Sequence, residues 1–219
     1  MGWLTSYHAF SFNRFYDPER IHFGPLRVLN DDFVMPSSGF GDHPHDNMEI
    51  VTYVLSGALE HKDSSGGHGI INAGDVQRMR AGTGIVHSEY NNSETTPVHL
   101  LQIWFFPQHN GLTPGYEQLS FKREQRLNTL LAVASPDLEA DGVHIQTPAT
   151  MYISLLEKDK SVTHKLAEDH GAYVYLINGE MEINGAAMKT GDAATVVGEK
   201  EITLVSSGDA EMVVFDILG

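Results

Sequence analysis

The chain has 219 residues, and 14 Lys and Arg against 29 Asp and Glu give it a formal charge of −15, which disfavours a broad basic surface for nucleic acid. It contains no cysteine, which excludes a disulfide framework, a thiolate metal site and a cysteine nucleophile. No run approaches the roughly 18 apolar residues of a membrane span, and "MGWLTSYHAFSF" lacks the charged and apolar regions of a secretory signal, so a cytoplasmic protein is expected.

From the N-terminus, Gly2 followed by Ser6 matches the myristoylation pattern, and "NNS" at Asn91 matches a glycosylation acceptor. Both matches are short and common, and both are set aside. Turn signals such as "DDF", "SSGFGD", "LSG", "NAGD" and "AGTG" then separate β-rich runs such as "IVTYVL", "GIVHSEY" and "VHLLQIWFF". That spacing predicts an all-β sandwich or barrel.

The first chemically loaded run is "GFGDHPHDNMEI", residues 39–50. On a strand with period two, His43, His45 and Glu49 all point to one face. The second is "AGTGIVHSEY", residues 81–90, where His87 and Glu89 again share a face. In a closed barrel, strands distant in sequence can aim side chains at one interior point. Three neutral imidazoles and a carboxylate make a cage for a divalent transition metal. The other histidines, among them His8, His22, His61, His68, His99, His109, His144 and His170, are read as satisfied surface or core residues. Glu49 remains open between a fifth ligand, a partner of the ligands and a carboxylate at the core rim.

Residues 108–128, "QHNGLTPGYEQLSFKREQRLN", are polar and read as a connection with a short helical piece. The half that follows echoes the first: "YVLSGALEH" from Tyr53 parallels "YLINGEMEI" from Tyr175, and "NAGDVQRM" from Asn72 parallels "KTGDAATV" from Lys189. An internal duplication is the economical reading. Two domains are expected, residues 1–118 with the metal site and residues 119–219 without one. Aligning Gly57 with Gly179 drops His43, His45 and Glu49 onto Lys165, Ala167 and Gly171, and aligning Gly74 with Gly191 drops His87 and Glu89 onto Leu204 and Ser206. A small slip brings in His164 or His170, never a whole set.

The stretches "SYHAFSFNRFYDP", "FGPLRVLNDDFVMPSSGFGDHPHDNMEIVTYVLSGALEHKDSSG" and "GDVQRMRAGTGIVHSEYN" resemble the pirin family of bicupins. The resemblance covers nearly all of residues 2–120 and, more weakly, the C-terminal half. It implies an all-β bicupin, two tandem antiparallel β-barrels of jelly-roll type, with one metal in the first barrel. By this resemblance the metal ligands are His43, His45, His87 and Glu89, and Glu49 supports them without binding. The implied metal is Fe(II) first, with Mn, Ni, Co, Cu and Zn also accepted. Family members usually carry a further stretch before the counterpart of "GWL", so a missing first edge strand or an unusual start is expected here.

The activity implied is a quercetin 2,3-dioxygenase, which cleaves flavonols with O2 and releases carbon monoxide. Glu89 is then the ligand that also accepts the substrate's hydroxyl proton, and Phe40, Met48 and Gln102 are lining candidates. The partners expected are a small aromatic substrate and O2, with no direct nucleic acid and no membrane, on a monomer. The alternative is a metal- or redox-dependent regulatory module acting through a protein partner. Isomerisation of a sugar phosphate ranks last, because Arg78 and Arg80 are the only nearby cations for a phosphate.

Overall fold

The structure is a computed structural model that describes residues 2–218; Met1 and Gly219, the outer limits of the two expected domains, lie outside it. The fold is all-β, two tandem antiparallel barrels of jelly-roll type. No α-helix occurs among the described residues, and none of these residues forms a helix long and apolar enough to cross a membrane. The strands in chain order are β1 (Leu4–His8), β2 (Leu26–Val34), β3 (Ser38–Ser56), β4 (Ala58–Asp63), β5 (His68–Asn72), β6 (Asp75–Asn91), β7 (Val98–Phe105) and β8 (Gly115–Ser120). They continue as β9 (Leu131–Ser135), β10 (Val143–His144), β11 (Ala149–Leu156), β12 (Ser161–Lys165), β13 (His170–Asn178), β14 (Glu180–Ile183), β15 (Ala186–Lys189), β16 (Ala193–Val196), β17 (Glu201–Ser206) and β18 (Ala210–Leu218).

The chain divides into two compact units. One runs through Ser120 and takes in Val143–Thr147; the other comprises Phe121–Gly142 and the chain from Pro148 onward. The segment Val143–Thr147 joins the first unit because carboxylates there bind it. The His144 N–H donates to Glu117 Oε2 at 2.9 Å, and the Gln146 N–H donates to Glu49 Oε2 at 2.7 Å.

In the first unit the strands run in the order β1-β2-β7-β3-β6-β4-β5, with β8 also on β6. The long strands β3 and β6 are its spine. β6 pairs β8 through Asp75–Arg80 and β4 through His87–Tyr90. Between those stretches lie Gly82 and Gly84, both with positive φ. A Cβ on Gly82 would sit 2.0 Å from the Leu112 carbonyl oxygen, so only glycine lets the strand bend there. The "AGTG" signal is therefore an irregularity inside a long strand, and "SSGFGD" marks the turn ending at Ser37 followed by an irregular start of β3. Part of the presumed connection is also a strand. β8 pairs with β6, and the helical element is only the 3₁₀ turn Arg123–Gln125.

The second unit holds the ladders β9-β11-β18-β13-β16 and β12-β17-β14-β15. Leu156, Val174, Leu204 and Val214 are among the residues that fill its core. The duplication is visible in matched geometry. Gly57 and Gly179 both have positive φ, and a Cβ on either would collide with a carbonyl oxygen, of Pro97 or of Asp209. The Gly74 N–H donates to the Val54 carbonyl and the Gly191 N–H to the Leu176 carbonyl, each at 2.8 Å. In both Gly-Asp turns the aspartate accepts from the N–H three residues back, Asp75 from Asn72 and Asp192 from Lys189, at 2.9 Å.

Candidate metal centre

Strands β3 and β6 bring the first three histidines together. His43 pairs directly with His87 and His45 with Ile85, so the three imidazoles meet on one face. Their ring centroids lie 4.3–4.9 Å apart, and one nitrogen from each falls within 4.8 Å of the others. Glu89 belongs to a second group, in which its carboxylate, His87 and His61 lie within the same distance. His87 is shared by both groups. The four residues expected as ligands thus form a tight histidine triad with Glu89 joined to it through His87.

The lone pairs are available. Burial first, and then neighbouring His43, lowers His45 to about 4; burial, His43 and His45 lower His87 to about 2. Both rings are uncharged at neutral pH. His45 Nε2 and both ring nitrogens of His87 are buried without a hydrogen-bond partner. His43 Nδ1 lies 2.8 Å from the Gly41 carbonyl oxygen, to which its N–H donates, leaving Nε2 as the free donor atom. Orphaned buried nitrogens are costly unless something satisfies them, and a divalent metal fits these neutral donors.

Glu89 is buried, and burial pushes its carboxyl above the usual range against the opposing influence of His61 and Gln102. Gln102 Nε2 donates to both of its oxygens, at 2.9 and 3.2 Å. The Thr52 hydroxyl lies 3.1 Å from Gln102 Oε1 and 3.4 Å from Glu89 Oε1.

Glu49 does not join this face. At the register shift between His45 and Asn47, two steps of β3 face three of β6, from Ile85 to Gly82, and Asn47 takes a left-handed φ of 59°. Side chains inverted by that bulge put Ile50 and Thr52 toward the site and Glu49 on the opposite side. There Glu49 Oε2 accepts from the Gln146 N–H at 2.7 Å and from the Thr147 hydroxyl at 3.0 Å. It is a fully buried carboxylate bound to Gln146 and Thr147, on the side away from the three histidines. Arg78 and Arg80 share that outer side. Arg78 pairs with Glu117 at 2.9 Å and Arg80 donates to the Thr113 carbonyl at 2.8 Å, so neither is free for a phosphate.

The triad opens into a cavity of about 500 Å³ lined by Trp3, Phe12, Phe40, Ile50, Gln102 and Trp104 together with polar residues of β1 and β2. Phe40 and Gln102 line it as expected. Met48 does not; it packs against Ile50, Met79, Ala81 and Ile85 and faces a separate surface cavity. His61, assigned to the background by sequence, is fully buried opposite Glu89 on β4, with Nε2 3.0 Å from Asp63 Oδ2 and Nδ1 unpartnered. Its signal was the H-x-D spacing of "HKD", which on a strand places both residues on one face.

Among its described residues the second unit has no counterpart set. Its cross-strand register pairs Val162 with Leu204 and His164 with Ile202, where the first unit pairs His43 with His87 and His45 with Ile85. One histidine thus occupies an equivalent position, because the chain from there to the shared glycine turn is longer in the second unit, His164 to Gly179, than in the first, His45 to Gly57, and an ungapped alignment misses it. His164 is bound to Asp216 at 2.7 Å and His170 at 2.5 Å.

The Pirin family model matches residues 1–105, and the model described as quercetinase C-terminal cupin domain matches residues 132–217. A protein of Escherichia coli strain K12 named quercetin 2,3-dioxygenase is 42% identical over 99% of this chain and 92% of its own length. A pirin-like protein of Caulobacter vibrioides is 40% identical over 98% of this chain and 93% of its own. The crystal structure of a bacterial pirin from Escherichia coli in complex with nickel(II) superposes with a TM-score of 0.94 at 41% identity, covering 100% of this chain and 93% of that one.

Proposed function

This chain belongs to the pirin family, and on that premise we propose that it is a metal-dependent dioxygenase of the quercetin 2,3-dioxygenase type, cleaving a flavonol with O2 and releasing carbon monoxide. One observation carries the proposal: three imidazoles converge, those of His45 and His87 with buried unpartnered ring nitrogens, on a cavity of about 500 Å³ with aromatic walls. The protein relatives named for quercetin cleavage and the nickel(II) complex support it.

His43, His45, His87 and Glu89 would hold one divalent transition metal, with Fe(II) the first choice, in the N-terminal domain only. When bound, the metal supplies residual positive charge, since the four side chains carry only −1, and that charge favours the anion of a substrate hydroxyl. Glu89 accepts the proton of the flavonol 3-hydroxyl. Its burial makes it a stronger base than an exposed carboxylate, and Gln102 fixes its orientation. Trp3, Phe40 and Trp104 hold the flat ring system and exclude water. The C-terminal domain, with Val162, Leu204 and Ser206 at three of the four positions, serves as scaffold.

The test is an O2-uptake assay with quercetin on protein of verified metal occupancy, with headspace detection of carbon monoxide. Carbon monoxide in proportion to O2 consumed is expected. Absence of both a flavonol spectral shift and carbon monoxide would overturn the proposal and favour a regulatory module.

A further inference from the structure

The wall of the cavity formed by β1 and β2 carries polar groups that the proton transfer does not use. Ser6 pairs with Asp32 and His8 with Asn30 across β1 and β2, and Asn30 pairs with Gln102 across β2 and β7. All five side chains line the cavity. The next pair of the same ladder, Leu4 with Val34, is apolar and packs into the core with Val54 and Leu59. An apolar wall was therefore open to this sheet at the neighbouring step.

Asn30 and Asp32 are only 3% and 4% exposed, and each keeps its Oδ1 without a hydrogen-bond partner. Ser6 hydrogen-bonds the Asp32 carboxylate, so that group is already oriented. Buried oxygens of this kind are normally satisfied. Two of them, at alternate positions of one strand and lining one cavity, ask for proton donors from whatever fills it.

We propose that Asn30 and Asp32 form a hydroxyl-recognition subsite, and that the molecule bound is a polyphenol whose ring hydroxyls donate to these two oxygens while another of its oxygens faces His43, His45 and His87. The proposal rests on reading the cavity as a flavonol site and goes further by assigning which part of the substrate is selected and by which residues. A ligand with hydroxyls there satisfies both acceptors, and one without them leaves both bare, which is the arrangement that discriminates most strongly between substrates.

The chain has two tryptophans, and both Trp3 and Trp104 line the cavity, so quenching of intrinsic fluorescence reads its occupancy. The full chain, metal-free and metal-loaded, is titrated with flavonols whose pendant ring carries no, one or two hydroxyls, and with a methoxylated analogue of equal bulk. Affinity is expected to rise at least about tenfold from none to two hydroxyls, with the methoxylated analogue grouped with the unsubstituted one. In Asp32→Leu and Asn30→Leu the gain should shrink to about twofold or less; Asp32→Asn, which keeps the shape, should lower it part of the way. Equal affinity across the series in the parent protein, or a methoxylated analogue that binds as tightly as the hydroxylated one, overturns this inference and leaves the flavonol reading standing. No quenching by any flavonol overturns that reading and this inference with it.

Discussion

Gln102 Nε2 donates to both carboxylate oxygens of Glu89, at 2.9 and 3.2 Å, inside the barrel. The contact leaves the glutamate acceptor capacity while removing its freedom to rotate. Gln102→Leu should therefore retain metal within about a factor of ten yet lower kcat about 10- to 100-fold, the range for losing one positioned acid–base group's alignment. Glu89→Gln should weaken metal binding and abolish turnover together. Elemental analysis beside steady-state kinetics separates the two. Full activity in Gln102→Leu would show that Glu89 needs no such hold.

Glu49 should behave as a structural residue. Its Oε2 accepts from the Gln146 N–H and the Thr147 hydroxyl and so pins Val143–Thr147 to the first unit. Glu49→Gln should keep one metal per chain and lose roughly 1–3 kcal/mol of stability, the scale of weakening a charge-assisted buried hydrogen-bond pair. Urea unfolding and metal content of the same preparation check it. Lost metal with unchanged stability would return Glu49 to the ligand set.

What the sequence made legible follows from where backbone regularity holds. His43, His45, His87 and Glu89 could be placed on one face because period two is obeyed locally on each side of the bulges. Glu49 could not, since the left-handed backbone of Asn47 at the register shift inverts the later side chains of β3. Met48 shares the parity of Ile50 and Thr52, but it sits directly after Asn47 at the bulge and lines the separate surface cavity. The strand β8 hid behind polar residues because its partners are the Arg78 guanidinium and the Asp75 carboxylate. Asn30 and Asp32 read as the turn signal "NDD"; their place in a cavity depends on the pairing of β2 with β1 and β7, which no local pattern encodes. In the second half, the ungapped alignment pointed at Lys165 and Ala167, and the ladder of β12 with β17 shows Val162 and His164 instead.

Metal stoichiometry is the next expectation. His43→Ala or His45→Ala should abolish stoichiometric metal, because each removes one of three converging imidazoles. The C-terminal unit should stay folded, since its core of residues such as Val174, Leu204 and Val214 shares nothing with that site. Parent protein should hold one metal per chain by elemental analysis. Two per chain would sink the asymmetry between the halves.

The final prediction concerns pH. Burial pushes Asp32 from its usual 3.8 to about 7; the Ser6 hydrogen bond opposes the rise, and the charges of Glu89 and Asp31 reinforce it. The folded chain then holds a proton on Asp32 between about pH 4 and 7 that the unfolded chain has released. More protons bound in the folded state means stability that falls as pH rises across that window. The favourable contribution is complete below the unfolded value and gone once pH passes the folded one. Asp32→Asn removes this titration while keeping the size of the side chain. Measured on metal-free protein by urea unfolding, its stability relative to the parent should therefore improve by roughly 2–4 kcal/mol between pH 4 and pH 8. The histidines titrate in both proteins and largely cancel in the difference. A difference that stays flat from pH 4 to 8 would mean that Asp32 ionises in the folded barrel as readily as in the open chain, and that its unpartnered oxygen meets solvent.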